Sequence, residues 1–255
     1  MNDRLLYLIE QLLGEDERYR DIVIPDDEGE RFRLYRSLVN VRMPSKHSNR
    51  FWAEEDAFLQ ELARERGITD IAELAPVEEN IYLWQGDITL LRCGAIVNAA
   101  NSGMTGCYQP CHGCIDNCIH TFAGTRLRYM CSRIMAVQGH EEETGRAKIT
   151  PAYNLPCEYV IHTVGPIVQG RLTAEHCALL ESSYRSCLEL AAENGVKSLA
   201  FCCISTGVFG FPQHEAAEIA VRTVREFLKT HDMKVVFNVF KDSDKAIYEE
   251  LLKIK

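Results

Sequence analysis

No stretch of this sequence approaches the roughly 20 consecutive apolar residues that a bilayer-spanning helix requires. The opening residues, MNDRLLYLIEQLLGEDERYRD, set Asp3, Arg4 and Glu10 around a short apolar stretch. They lack the basic start, long apolar centre and small-residue cleavage site of a secretory leader. These absences lead to the expectation of a cytoplasmic protein with no membrane partner. Cations are also in deficit, with 28 Lys and Arg against 37 Asp and Glu and a formal net charge of −9. Sequence-independent binding to nucleic acid draws most of its affinity from cations that neutralise phosphates, so that class is disfavoured. A disulfide framework is not expected either. Eleven cysteines is an odd count, and a chain of 255 residues can bury a core without covalent staples. Reduced thiols and metal ligation are the better reading.

What is present divides the chain in two. Leu5, Leu6, Leu8, Ile9, Leu12 and Leu13 recur at helical spacing. A polar stretch around Pro25, Asp26 and Asp27 ends that unit. A second helical pattern holds Phe32, Tyr35, Leu38 and Val39, and a third holds Phe51, Trp52, Phe58, Leu59 and Leu62, with Ser48 placed to cap it and Gly67 to close it. Residues 1–72 are thus expected to form a helical extension packed on a main domain, 73–255, with a partner-binding role as the alternative. From about residue 80, short apolar runs alternate with helical stretches, the pattern of an α/β sheet. Strands are expected at Ile81–Trp84, Ala95–Ala99, Lys148–Tyr153, Tyr159–Val164, Ser198–Cys203 and Val235–Phe240. Helices are expected at Ile115–Met135, Ala174–Asn194, His214–Lys229 and Asp244–Leu252.

The stretch from Asp87 to Gly124 carries the chemistry. Cys107, His112 and Cys114 crowd together between two asparagines, Asn98 and Asn101, and the carboxylate Asp116. Zinc favours thiolate and imidazole, and three protein ligands leave a fourth position for water or substrate. Cys111 or Cys118 could supply a fourth ligand and make the site structural. Asp116 precedes a helix and could equally cap it or act in catalysis; Asn117 could assist either role. His120 and His162 lie in apolar surroundings and read as core. A second loop, Ser205-Thr206-Gly207-Val208-Phe209-Gly210-Phe211-Pro212, follows a strand and leads into a helix. Glycines there let backbone N–H groups approach a phosphate, and the helix N-terminus adds a favourable dipole.

Gly86-Asp87-Ile88, IVNAAN (96–101), Ala147-Lys148-Ile149-Thr150, VIHTVGP (160–166) and ISTGVFGFP (204–212) occur in this order. Together they resemble the macrodomain family, in the branch that hydrolyses mono-ADP-ribose from proteins, over about residues 80 to 250. Where better-known hydrolytic members carry a run of glycines before a Val-Asp and an Ile-His pair, this chain keeps Asp116 and Ile119-His120. In place of the glycines it carries Gly106-Cys107-Tyr108-Gln109-Pro110-Cys111-His112-Gly113-Cys114. That insert resembles the zinc-dependent macrodomain subfamily of bacteria and fungi, often encoded beside a sirtuin-like ADP-ribosyltransferase and a lipoyl-carrier protein. The helical first third resembles that subfamily's extension.

The resemblance implies a mixed central sheet covered by helices on both faces, and a zinc-dependent hydrolase that releases ADP-ribose from mono-ADP-ribosylated protein. The modified residue would be an acidic side chain and the target, on gene neighbourhood alone, a lipoyl-carrier protein. It implies that Asp87 receives the adenine amino group with Ile88 beside it, that residues 205–211 hold the diphosphate, and that Asn101 touches the distal ribose. Asp116 would act in catalysis or orient water, and Phe240 would lie against adenine or pack in the core. Asn98 is read as mainly structural. The rivals are an ADP-ribose reader with a structural zinc, and a deacetylase of O-acetyl-ADP-ribose.

Overall fold

The structure is a computed structural model that describes residues 2–254. Its first third forms three helices, α1 (Asn2–Leu13), α2 (Glu28–Val41) and α3 (Asn49–Arg66). The stripe Leu5, Leu8, Ile9 and Leu12 packs with Tyr35, Leu38, Val39, Phe51, Phe58 and Leu59 in a core of its own. Local signals set the helix ends. Asp27 accepts the Glu30 N–H at the start of α2, Ser48 accepts the Phe51 N–H at 3.1 Å at the start of α3, and Gly67 leaves α3 at φ +88°. Each such cap contributes about 1 kcal/mol.

The remainder is a mixed sheet flanked by helices. A two-residue parallel pair, β1 (Thr69–Asp70) with β3 (Leu91–Arg92), borders it. The main sheet contains β2 (Ile81–Gln85), β4 (Ala95–Ala99), β5 (Ala147–Pro151), β6 (Tyr159–Thr163), β7 (Ser198–Phe201) and β8 (Lys234–Val239). Their order is β2-β8-β7-β4-β6-β5, all parallel except β5, which runs antiparallel to β6. Helices α4 (Ile115–Ala123), α5 (Thr125–Gln138), α6 (Ala174–Glu193), α7 (Gln213–Leu228) and α8 (Asp242–Leu251) flank it. Runs such as Ile96-Val97 and Val235-Val236 are buried on successive residues, as strands covered on both faces require.

Several expected boundaries move. The strand expected to reach Tyr153 ends at Pro151, because Tyr153 turns through the left-handed region at φ +55°. The last two strands of the series stop at Phe201 and Val239, which leaves Cys203 and Phe240 in the loops beyond. The single helix expected over Ile115–Met135 is two, broken at Gly124, whose φ of +91° suits glycine. A Cβ there would also stand 2.9 Å from Glu55 Oε2 and 3.0 Å from Asn154 Nδ2.

That break is held from outside. Glu55 of α3, fully buried, accepts hydrogen bonds from the Thr125 N–H at 3.0 Å, the Thr125 hydroxyl at 2.8 Å and the Tyr35 hydroxyl at 2.8 Å. It caps α5 across about 70 residues of sequence and ties the helical third to the sheet unit. Burial pushes its carboxyl above the usual range, against these hydrogen bonds, which favour the charge. Glu55→Ala leaves buried donors unsatisfied and is expected to cost about 3 kcal/mol. Urea unfolding of the full chain measures this, with a smaller loss expected for Glu55→Gln.

Candidate active site

Parallel strands deliver all their carboxyl ends to one edge, where ligands of open α/β sheets bind. Along that edge, in strand order, come Asp87 after β2, Phe240 after β8, residues 205–211 after β7, and Asn101 with the Cys/His loop after β4. The sheet therefore lines up, in one row, segments that are scattered through the sequence.

At the β4 end, ligand atoms of Cys107, His112 and Cys114 all lie within 4.8 Å of one another, and each residue is partly exposed. Cys107 Sγ is 3.6 Å from His112 Nδ1. A tetrahedral zinc with Zn–S of about 2.3 Å and Zn–N of about 2.05 Å sets these donors roughly 3.5 Å apart. The residues fit the ion. Burial, with Cys107 alongside, pushes the Cys114 thiol up to about 12, so a cation beside this sulfur is what would ionise it. Cys114 is also the N-cap of α4, its sulfur 3.4 Å from the Asn117 N–H. The cap is therefore Cys114, and Asp116 lies inside the helix.

Asp116 points back under the loop. Its Oδ1 accepts from Asn98 Nδ2 at 2.9 Å and its Oδ2 from Asn101 Nδ2 at 3.2 Å. Asn101 also donates to the Gly106 carbonyl at 3.1 Å, at the mouth of the Cys/His loop. Burial pushes the Asp116 carboxyl up to about 6. Asn98, buried near the carboxyl end of β4, thus fixes the carboxylate directly, a role its apolar surroundings in the sequence concealed. Its Nδ2 is also 3.1 Å from His162 Nδ1, and His162 Nε2 is 3.0 Å from the Thr150 hydroxyl. His162 and His120 are core residues as expected, and burial lowers both pKa values, that of His162 to about 4. Both belong to a second group, His120, Cys131 and His162, which is completely buried behind Asp116.

The other cysteines of the stretch face elsewhere. Cys111, at φ +52°, turns its sulfur to the Arg33 carbonyl at 3.4 Å, and Cys118 lies 3.5 Å from Arg36 Nη2. Asn117 donates to the Gln109 carbonyl at 2.9 Å and so braces the loop, leaving Asp116 to its own partners.

At the far end, Asp87 Oδ1 accepts from the Thr89 N–H at 2.9 Å and hydroxyl at 2.6 Å, while Oδ2 is paired with Arg66 of α3. Both lone pairs of Oδ1 are thereby taken, and Oδ2 has one further lone pair to offer. Ile88 has its side chain in the core, so its N–H is what it can present. Phe240 is 74% exposed, which removes the packing alternative and leaves its ring on the rim.

In the loop after β7, Ser205 sits at φ +65° with a buried hydroxyl, and Phe211 is buried and bonds the Ser205 carbonyl through its N–H at 3.0 Å. Thr206 folds its hydroxyl onto the Cys203 carbonyl at 3.0 Å, and Gly210 turns at φ +69°. These four shape the loop. The N–H groups of Gly207, Val208 and Phe209 have no intramolecular acceptor among the described residues. They form a row of free donors beside the uncapped start of α7.

Sequence comparison agrees with this geometry. The Macro domain profile matches residues 97–220. The chain is 59% identical over 98% of its length to a protein-ADP-ribose hydrolase of Treponema medium, of which 98% is covered. It is 49% identical over 97% to a protein-ADP-ribose hydrolase of Staphylococcus aureus strain MRSA252, of which 94% is covered. Among solved structures, the Trypanosoma brucei macrodomain in complex with ADP-ribose superposes with a TM-score of 0.66 at 32% identity, covering 85% of this chain and 94% of that one. A sheet edge of this design, matched in sequence along nearly the whole chain, places the protein in the macrodomain family.

Proposed function

We propose that this protein is a hydrolase that removes ADP-ribose from mono-ADP-ribosylated protein, with zinc held by Cys107, His112 and Cys114. The observation that carries the reading is the placement of Asp116, held by Asn98 and Asn101, directly beneath the three-ligand loop. The order of the edge supports the same ligand. From β2 to β4 is three strand spacings, roughly 14 Å at about 4.8 Å each. Adenine at Asp87 and Phe240, diphosphate on the free amides of 207–209, and distal ribose at Asn101 follow one another in the sequence in which ADP-ribose links them.

Cleavage breaks the bond between the anomeric carbon and the target's oxygen, and positive charge grows on the sugar as it does so. Asp116 accepts the proton that the attacking water gives up, and the water's oxygen bonds to the anomeric carbon. The target side chain departs with the electron pair. An acidic side chain suits this step, since a carboxylate leaves without needing a proton. Asn101 holds the ribose over Asp116. Zinc in such a site supplies Lewis-acid polarisation and orientation of an oxygen. Among the described residues no helix is long and apolar enough to cross a membrane.

The test is release of free ADP-ribose from a mono-ADP-ribosylated carrier protein, followed with zinc content before chelation, after it, and after zinc is returned. Loss and return of turnover with the metal supports the reading. A chain that binds ADP-ribose and zinc but releases nothing is a reader, and one that acts only on O-acetyl-ADP-ribose is a deacetylase.

The diphosphate loop has its own check. A Cβ on Gly165 would stand 2.1 Å from Ser205 Oγ and 2.7 Å from Ile204 Cγ2. Ser205 already occupies a strained backbone conformation, and the neighbours leave it no room. Gly165→Ala is expected to weaken ADP binding about tenfold in calorimetric titration, a loss of about 1.4 kcal/mol.

A further inference from the structure

We infer that helix α2 of the N-terminal third belongs to the metal site, with Arg36 as the positioning residue that holds His112 in place to bind the ion. This rests on the zinc reading proposed above.

The loop from Asn101 to Cys114 contains no helix or strand, and left to itself it would pay a large ordering entropy to gather three ligands. Its own bonds are few. Met104 N–H reaches the Asn101 carbonyl at 2.9 Å, and His112 N–H reaches that of Gln109 at 3.3 Å. What holds His112 and its neighbour Cys111 arrives from α2. Arg36 Nη2 donates to the His112 carbonyl at 2.7 Å and to Asn117 Oδ1 at 2.9 Å, and Asn117 in turn grips the Gln109 carbonyl. Asn40, fully buried, accepts the Cys111 N–H at 2.9 Å and donates to the Thr121 hydroxyl at 3.0 Å.

The other metal-loop shoulder is tied to the same helix by a different cation. Arg128 of α5 donates to the carbonyls of Val39 at 2.9 Å, Asn40, and Arg42 at 3.0 Å, which are the end of α2. Its second nitrogen donates to the Cys107 carbonyl at 3.1 Å. Two arginines thus grip the backbone of two metal ligands, and the residue between those ligands, Cys111, is pinned to α2 as well. Outer partners of this kind set ligand orientation, and their removal usually costs 10–100-fold in metal affinity.

Arg36→Met in the full chain tests the inference, with zinc affinity read by competition against a chromophoric chelator. The expected result is a loss of about tenfold or more, shifted absorption bands in the cobalt-loaded protein, and ADP affinity within about twofold of the parent, because ADP lacks the distal ribose. Arg36→Lys, which can still donate to the His112 carbonyl, is expected to recover part of the loss. Asn40→Ala provides a second reading should Arg36→Met fail to fold, with the same direction expected. Parent-like zinc affinity and an unshifted cobalt spectrum in the folded variants overturn the inference and leave the zinc reading standing. A parent chain that retains no zinc overturns both.

Discussion

Cys107→Ser is expected to remove both metal retention and release of ADP-ribose, with turnover falling by about 10²-fold or more while ADP still binds. A serine hydroxyl is a poor substitute for a thiolate, and only His112 and Cys114 would remain. The segments proposed for adenine, after β2 and β8, lie three and two strands from β4, the loop proposed for diphosphate, after β7, lies one strand away, and none of them hydrogen-bonds Cys107 among the described residues. Metal analysis, ADP titration and an ADP-ribose release assay on one preparation separate the outcomes. Retained turnover in a metal-free variant removes zinc from the chemistry.

The second large effect is expected at Asp116. Asp116→Asn keeps the shape of the side chain and one of its two acceptor positions, so the loop and groove should survive. What disappears is the ability to take a proton from water, worth about 10²–10⁴-fold in turnover for a general base. The expected signature is a fall in kcat with KM close to the parent value, since Asp116 is buried beneath the site and grips Asn98 and Asn101. A large rise in KM with kcat unchanged assigns Asp116 to binding instead.

Much of this was legible in the residues because it is local. Apolar runs announced the strands, Ser48 and Gly67 announced the ends of a helix, and the metal-ligand types stand within eight positions of one another. The Gly124 break was missed because the helical pattern continues across it, and the group that stabilises the new helix start, Glu55, comes from far upstream. Arg36 and Arg128 were missed for the same reason. Their partners are 76 and 21 residues away, and an arginine whose task is to hold a distant carbonyl leaves no periodic trace. Asn98 offered one sign, a polar side chain following the buried apolar run Ala95-Ile96-Val97 in β4, which is costly unless something needs its hydrogen bonds. Arg66, which engages the carboxylate of Asp87, offered none, since it sits among the charges that end α3.

The strand order carries a consequence for how the protein comes together. β8 lies between β2 and β7, so β2 joins the sheet only through a strand made about 150 residues later. During synthesis the segment leading to Asp87 must wait, unpaired, while β4, β6 and β7 can already assemble. The Cys/His loop, close in sequence and next to β4, is available from the first half of assembly. The Asp87 end is available only at its close. Non-local parallel pairing of this kind is slow, and the waiting β2 edge is the point at which a nascent chain is most open to pairing with the wrong partner.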